Sequence, residues 1–479
     1  MNSSADRASE LDKSLLDPLL SDAAPVDPAF DSGLAFASWS PLSRLIARYR
    51  RVRESTSKSR IQKVLLCLLI FFAITIVILI IVVTKAKRRA LYLSHQPHQE
   101  VCDEYAVWAP LDDYPEPGYG PRLRYISTTS FNFSRFDNSL YFTDGSLNLF
   151  GPNIHGAISF VTDANVPKDN INVEIVASYE SKEAFTPIAV CTVRRSPIER
   201  GIGIFASPGL AGMRHYSDRT YFLINVKLPL PEDGSTHPMF FNHIASHLPA
   251  FVHRIGDLQP TAYFRSFDVT TSSALIIVDS LAAGSIHLCT TNANIRGNFK
   301  VTNQLSLIAT NNGAITASST LESDGLSECR AGILSDGPLA VNFTLASTND
   351  DHDRGEFTIT TSTFDEPADV VVSSAPVGHT LELTAVSDRG GLRVALPSTY
   401  EGPLSLASPG IPPNFKYDPN PADPSGLGRN RTVVHYMRSE SESDYVDGYV
   451  HWGRHQRGKG LGVRAFNRGE PLTGVTLEI

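Results

Sequence analysis

The chain has 479 residues, 42% of them hydrophobic, with 42 Lys and Arg against 50 Asp and Glu, a formal net charge of −8. The acids outnumber the bases past residue 89, where 28 basic face 42 acidic side chains. That balance argues against a nucleic-acid partner, because phosphate binding needs clustered Lys and Arg, and it suits solubility outside the cell.

Residues 1–63 read as a disordered cytosolic tail with a basic juxtamembrane segment. The first 31 residues hold seven acids, and Pro18, Pro25 and Pro28 interrupt any helix. Asp12 to Leu16 (DKSLL) resembles a dileucine sorting signal. From Arg44 to Lys63 the chain carries eight bases and one acid, Glu54, which draws it to an anionic leaflet.

Residues 64–84 (VLLCLLIFFAITIVILIIVVT) contain no charge, no Gly and no Pro. As a helix they cover roughly 30 Å, the hydrocarbon thickness of a bilayer, and predict a single transmembrane helix. Four bases, Lys85, Lys87, Arg88 and Arg89, follow the span against the eight that precede it. The positive-inside rule then predicts a cytosolic N-terminus and an uncleaved signal anchor, a single-pass type II arrangement. The plasma membrane is the favoured location, with vacuole or Golgi as alternatives.

Residues 85–125 are rich in Pro and Gly and predict a stalk. From 126 to 260 short alternating runs such as NINVEIVASY and TYFLINVKLPLP predict a β-rich first part of the ectodomain. One stretch, Met239 to Val252 (MFFNHIASHLPAFV), looks helical and is shortened by Pro249.

Residues 261–479 add a repeat. IHLCTTN from Ile286 recurs as LSLIATN from Leu305, 19 residues on, and as FTLASTN from Phe343, a further 38 on. Looser copies begin at Phe357 and Leu381. A period near twenty predicts a short parallel β-solenoid, with Asn or Gly at left-handed corners. The alternative is an antiparallel β-sandwich of evenly spaced hairpins. The fold class is therefore mostly β after one transmembrane helix.

Sequons at Asn132, Asn342 and Asn430 are candidate glycosylation sites beyond the span. Cys102, Cys191, Cys289 and Cys329 also lie beyond it, and four cysteines in an oxidising compartment permit two disulfides in three pairings.

The corner LIATNNGAI from Leu307, with LELTAVSDRGGLRVALPSTYEGPLSL from Leu381 and the closing Gly448, Val450, Trp452, Gly453, Gly462 and Val463, resembles the adhesin-like families of bacteria and fungi. More closely, it resembles fungal single-pass membrane proteins with an adhesin-like β-solenoid ectodomain. The resemblance implies the solenoid and leaves the ligand open, because fold does not fix function.

Signatures of chemistry are near misses. The run from Gly453 to Lys459 begins like a phosphate loop but continues with Gly460 in place of Ser or Thr. His243 with His247, and His451 with His455, lack a third zinc ligand. Residues 349–353 (NDDHD) lack the spacing of a calcium loop. No catalytic residue, cofactor site or metal site is assigned. The expected role is a non-enzymatic, adhesin-like surface or endomembrane protein that binds wall glycan or another surface protein, or acts as a scaffold. Exposed Tyr and Asn are the expected contacts. A membrane-tethered carbohydrate-active enzyme and a trafficking receptor are the alternatives.

Overall fold

Alternating apolar residues force a strand to bury one face, and in this chain nearly every such run finds a neighbour on each side. The computed structural model describes residues 101–111, 125–137, 139–144, 154–196, 199–206, 220–232, 235, 237–348, 355–440, 443–453, 462–467 and 474–479. The chain divides into two units, Met1–Gln96 and Pro97–Ile479, and every described residue lies in the second. The tail and the span at 64–84 fall outside the described residues. Among those described, no helix is long and apolar enough to cross a membrane, and the one short helix is Lys182–Phe185.

The strands stack in parallel as successive coils, each contributing to two sheets that share one core. In the first sheet the order runs Glu199–Ala206, Ser139–Thr143, Met239–His247, Ala262–Thr271, then the second halves of Ile276–Thr290 and Ile295–Ala309. It continues through Cys329–Ser335, Glu356–Thr363, Thr380–Ser387, Gly462–Asn467 and Gly402–Pro409. In the second sheet Thr220–Pro229, Ile154–Asp163 and Phe251–Asp257 lead into the first halves of the same two long strands. Ile315–Ser323, Leu339–Ser347, Ala368–Ser374, Leu392–Ala395, Val475–Glu478 and Asn414–Lys416 complete it. This is the parallel β-solenoid. Antiparallel pairing is confined to its two ends, so the sandwich alternative does not describe the core.

Neither end follows chain order. Ser139–Thr143 lies between Glu199–Ala206 and Met239–His247, and Gly462–Asn467 lies between Thr380–Ser387 and Gly402–Pro409. Each terminal coil is thus laid over a neighbour distant in sequence, giving the stack a cap that a repeat array needs.

The core changes character along the stack. Near the N-terminal end it is aromatic: Phe264 stacks on Phe241 at 5.3 Å and meets Phe267 edge-on at 5.2 Å, and Phe160 meets Phe267 at 5.3 Å. Such pairs contribute beyond their buried area. Towards the C-terminal end stacked phenylalanines give way to Ile359, Leu383, Ala385 and Val463, with Tyr400 and Trp452 buried beside the last strands. A column of buried small polar residues closes the first-sheet strands: Thr271, Thr290, Ser335, Thr363, Ser387 and Asn467, with Ala309 in the same register. Each polar member bonds a corner carbonyl, as Ser335 Oγ does with Gly337 O at 2.9 Å and Ser387 Oγ with Gly390 O at 2.8 Å. The hydroxyls thereby satisfy acceptors that leave the ladder at the turn.

The 19-residue repeat is observed directly: Ile286 pairs with Leu305. At its corner Asn311 and Asn312 take φ of 51° and 67°, the left-handed region that Asn tolerates. Gly313 serves a different need, since a Cβ there would collide with Ala293 O.

Three expectations are corrected. The copy at Phe343 belongs to the second sheet, opposite Ser319, because coil lengths vary after residue 310 and both sheets alternate alike. Met239 to Val252 is two strands, Met239–His247 and Phe251–Asp257, and no helix. Burial parity shifts there, so the inward residues Phe241 and Ile244 are three apart, a helix-like spacing shared by their neighbours Phe264 and Phe267. Finally, two pieces of the predicted stalk are strands of the fold, Val101–Tyr105 and Ala109–Pro110. They sit at sheet edges, where a proline without an N–H is tolerated.

Candidate binding face

The first sheet ends in three antiparallel strands, Gly402–Pro409, Ser443–Trp452 and Arg431–Glu440. Alternation buries Val446, Val450 and Trp452 beneath them, and Trp452 Nε1 donates to Ser398 O at 3.0 Å. The loop before the hairpin is tied by Arg429, which bonds Asp423 and Glu401. That guanidinium holds the Asp423 carboxyl well below the usual carboxylate range.

The opposite parity faces outward. Register sets Tyr436 beside Asp447 and Asp447 beside Ser405, Val434 beside Tyr449, and Arg438 beside Tyr445. Side chains directly opposite in antiparallel strands have Cβ atoms roughly 5 Å apart. Ser405 Oγ donates to Asp447 Oδ1 at 2.7 Å, and Arg438 Nη2 lies 3.6 Å from Asp447 Oδ2. The Arg438 guanidinium also covers the Tyr445 ring at 5.0 Å, and Tyr449 lies 5.9 Å from the His451 ring. The result is a flat grid: three tyrosines and a histidine around a carboxylate, a hydroxyl and a guanidinium held in fixed positions.

This grid continues along the sheet. From Ser405 the outward row passes Arg464, Thr384, Thr360, Gly332 and Ser306 to His287 and Asp268. At that far end His243 Nδ1 is 3.3 Å from Asp268 Oδ2. Burial chiefly, then Arg195, pushes the His247 imidazole pKa down. Asp268 thus pairs with His243, and no group of three ligands able to hold a metal occurs among the described residues.

The second sheet bears an open groove of about 490 Å³ along Thr316, Ala340, Asp369, Arg393 and Thr476. Arg393 bonds Asp369 at 2.8 Å and Glu478 at 2.7 Å. Arg393 first, and Lys416 after it, hold the Glu478 carboxyl below the usual range. A glycosidase acid needs the reverse, a carboxyl kept protonated near neutrality, so this pair is built as an ion pair.

The three sequon asparagines, Asn132, Asn342 and Asn430, are all exposed. Cys102 and Cys191 form a disulfide with Cα atoms 5.6 Å apart. Cys289 and Cys329 remain free thiols, which corrects the allowance for a second bridge. Cys329 points into the core while Cys289 takes the outward parity of Ile276–Thr290, and Ile295–Ala309 lies between their two strands, so the sheet itself separates them. Burial pushes the Cys329 thiol up to about 12. His455 and residues 349–354 lie outside the described residues, as does most of the run from Gly453 to Lys459. The tyrosine grid was not singled out from sequence. Its only signal was the alternation YVDGYVHW from Tyr445, which shows parity and not the neighbours across the sheet.

No family model matches the chain, and no curated protein matches it. Among solved structures, a candidate adhesin from Parabacteroides merdae is similar at 11% identity, covering 56% of this chain and 89% of that one, with a TM-score of 0.28. One from Parabacteroides distasonis is similar at 12% identity over 56% of this chain and 90% of that one, TM-score 0.28. One from Bacteroides fragilis reaches 8% identity over 74% and 97%, TM-score 0.24. Likeness at these scores carries no argument about this chain, and its function rests on its own geometry.

Proposed function

We propose that this chain is a membrane-anchored, adhesin-like protein of the cell surface or the secretory route, which binds an extended glycan without turning it over. The apolar span at 64–84, with eight bases before it and four after, supports an anchor with a cytosolic N-terminus. The Cys102–Cys191 disulfide and the exposure of all three sequons support an oxidising, lumenal or extracellular side.

The observation that carries the reading is the outward grid of Tyr436, Tyr445 and Tyr449 around the Asp447, Ser405 and Arg438 cluster. Tyrosine rings offer apolar faces with little conformational entropy to lose, and the polar cluster offers donors and acceptors to hydroxyl groups. A flat strip suits a polymer better than a small molecule, which needs a concavity. The full-length chain in mild detergent, applied to a glycan array, is expected to retain a class of extended glycan. Retention without hydrolysis products supports the reading. Hydrolysis abolished by replacing one carboxylate pair would establish the enzyme alternative, and retention of protein ligands alone would establish another surface protein as the partner.

A further inference from the structure

Among the described residues the two sheets present four outermost strands, and three of them are blunted. At the N-terminal end of the first sheet, Val101–Tyr105 has five residues, a register shift between Cys102 and Glu104, and a disulfide pinning it. At the N-terminal end of the second sheet the edge is Ala109–Pro110, two residues ending in proline. At the C-terminal end of the second sheet it is Asn414–Lys416, three residues following Pro412 and Pro413. Short, bulged and proline-bearing strands are how sheets avoid pairing with other chains.

The fourth edge has none of these devices. Arg431–Glu440 is ten residues long and pairs in unbroken register with Ser443–Trp452. It contains no proline, and among the described residues it has that one strand neighbour. Along it Val434, Tyr436 and Met437 are 54%, 59% and 69% exposed. Its arginines do not guard the edge. Arg438 is drawn back over Tyr445 and Asp447, and Arg431 lies over the Trp452 ring at 6.0 Å.

We infer that this edge pairs with the same strand of a second copy of the chain, antiparallel, about a two-fold axis through His435. A two-fold perpendicular to a sheet sets residues of like parity opposite one another, and of the possible centres His435 gives complementary rows. Val434 then faces Tyr436 of the partner copy, Val433 faces Met437 and Thr432 faces Arg438, with His435 against its own copy at the centre, so no Lys, Arg, Asp or Glu meets a like charge. Centring on Tyr436 sets Val434 against Arg438, and centring on Val434 shortens the overlap. The contact is isologous and uses up both open edges, so it closes at a dimer and does not propagate. Both tyrosine grids stay on one face of the joined sheet, which presents two binding surfaces side by side.

Sedimentation of the full-length chain in mild detergent tests this with two variants. The wild type is expected to dimerise. Val434→Lys sets cations along the pairing edge and is expected to weaken the dimer at least about tenfold. Val434→Lys with Tyr436→Glu places opposite charges face to face in this register and is expected to restore it. Position 434 is exposed, and an unchanged circular dichroism spectrum checks the fold. A wild type that stays monomeric at every accessible concentration overturns the inference. So does a dimer indifferent to Val434→Lys, and failure of the double variant overturns the register. None of these readouts depends on glycan binding.

Discussion

At the N-terminal end of the solenoid the outermost strand is short, bulged and bolted to its neighbour by Cys102–Cys191, over a core of stacked phenylalanines. At the C-terminal end a regular ten-residue strand lies open beside buried Val446, Val450 and Trp452, with a tyrosine grid on its outer face. Both ends use the same device, a coil inserted out of chain order, so the difference is not one of capping. One end has a blunted edge and the other an open one. In a solenoid, where each coil meets only its neighbours, such a division costs the middle little.

Acidification should break the comparison most strongly, because the histidine whose pKa burial lowers furthest belongs to the N-terminal half, while burial lowers that of His379 as well. His253 is fully buried, with Nδ1 2.9 Å from Phe251 O and Nε2 2.8 Å from Ser246 Oγ. The carbonyl can only accept, so Nδ1 carries the proton and Nε2 accepts from the serine. Burial pushes its pKa down to about 3. The unfolded chain therefore binds a proton that the folded one refuses. Stability is full above the ordinary histidine range and falls as pH drops towards 3, by on the order of 4–5 kcal/mol. Hydrogen exchange should show residues 239–257 losing protection before 402–452. A flat response across that range would contradict the assignment.

Next in size is the disulfide. Cys102→Ser opens a bridge spanning 89 residues and should cost about 2–4 kcal/mol, read as a lower denaturant midpoint. Exchange should quicken in Val101–Tyr105 and Ile188–Ser196 and stay unchanged in the C-terminal hairpin. A smaller effect is expected midway. Ser335→Ala removes a hydroxyl from the buried column, where Ala309 already shows that a methyl fits. The loss should be about 1 kcal/mol, with the same effect at neither end.

Much of the middle was legible in the sequence, because a repeat of 19 residues repeats a register, as Ile286 and Leu305 show. Legibility failed where length varied or parity broke. The Phe343 copy matches in residue type and lies on the other sheet, and a shift of burial parity sets Phe241 and Ile244 at a helical spacing. The candidate site was hidden for a further reason. Tyr436, Asp447 and Ser405 are neighbours only through two antiparallel registers, and no local pattern encodes which residues three strands bring together. Cysteine pairing was hidden likewise, since the separation of Cys289 from Cys329 is set by the faces of a sheet.

The glycan reading is tested most directly by the affinity of the full-length chain for the best glycan on the array, set beside that of Tyr449→Ala. The side chain of Tyr449 is half-buried on the outer face, away from the core and from the pairing edge. Loss of its ring should weaken binding at least about tenfold, some 1.4 kcal/mol, at an unchanged unfolding midpoint. Equal affinity in the two proteins would contradict the claim that this face holds the ligand.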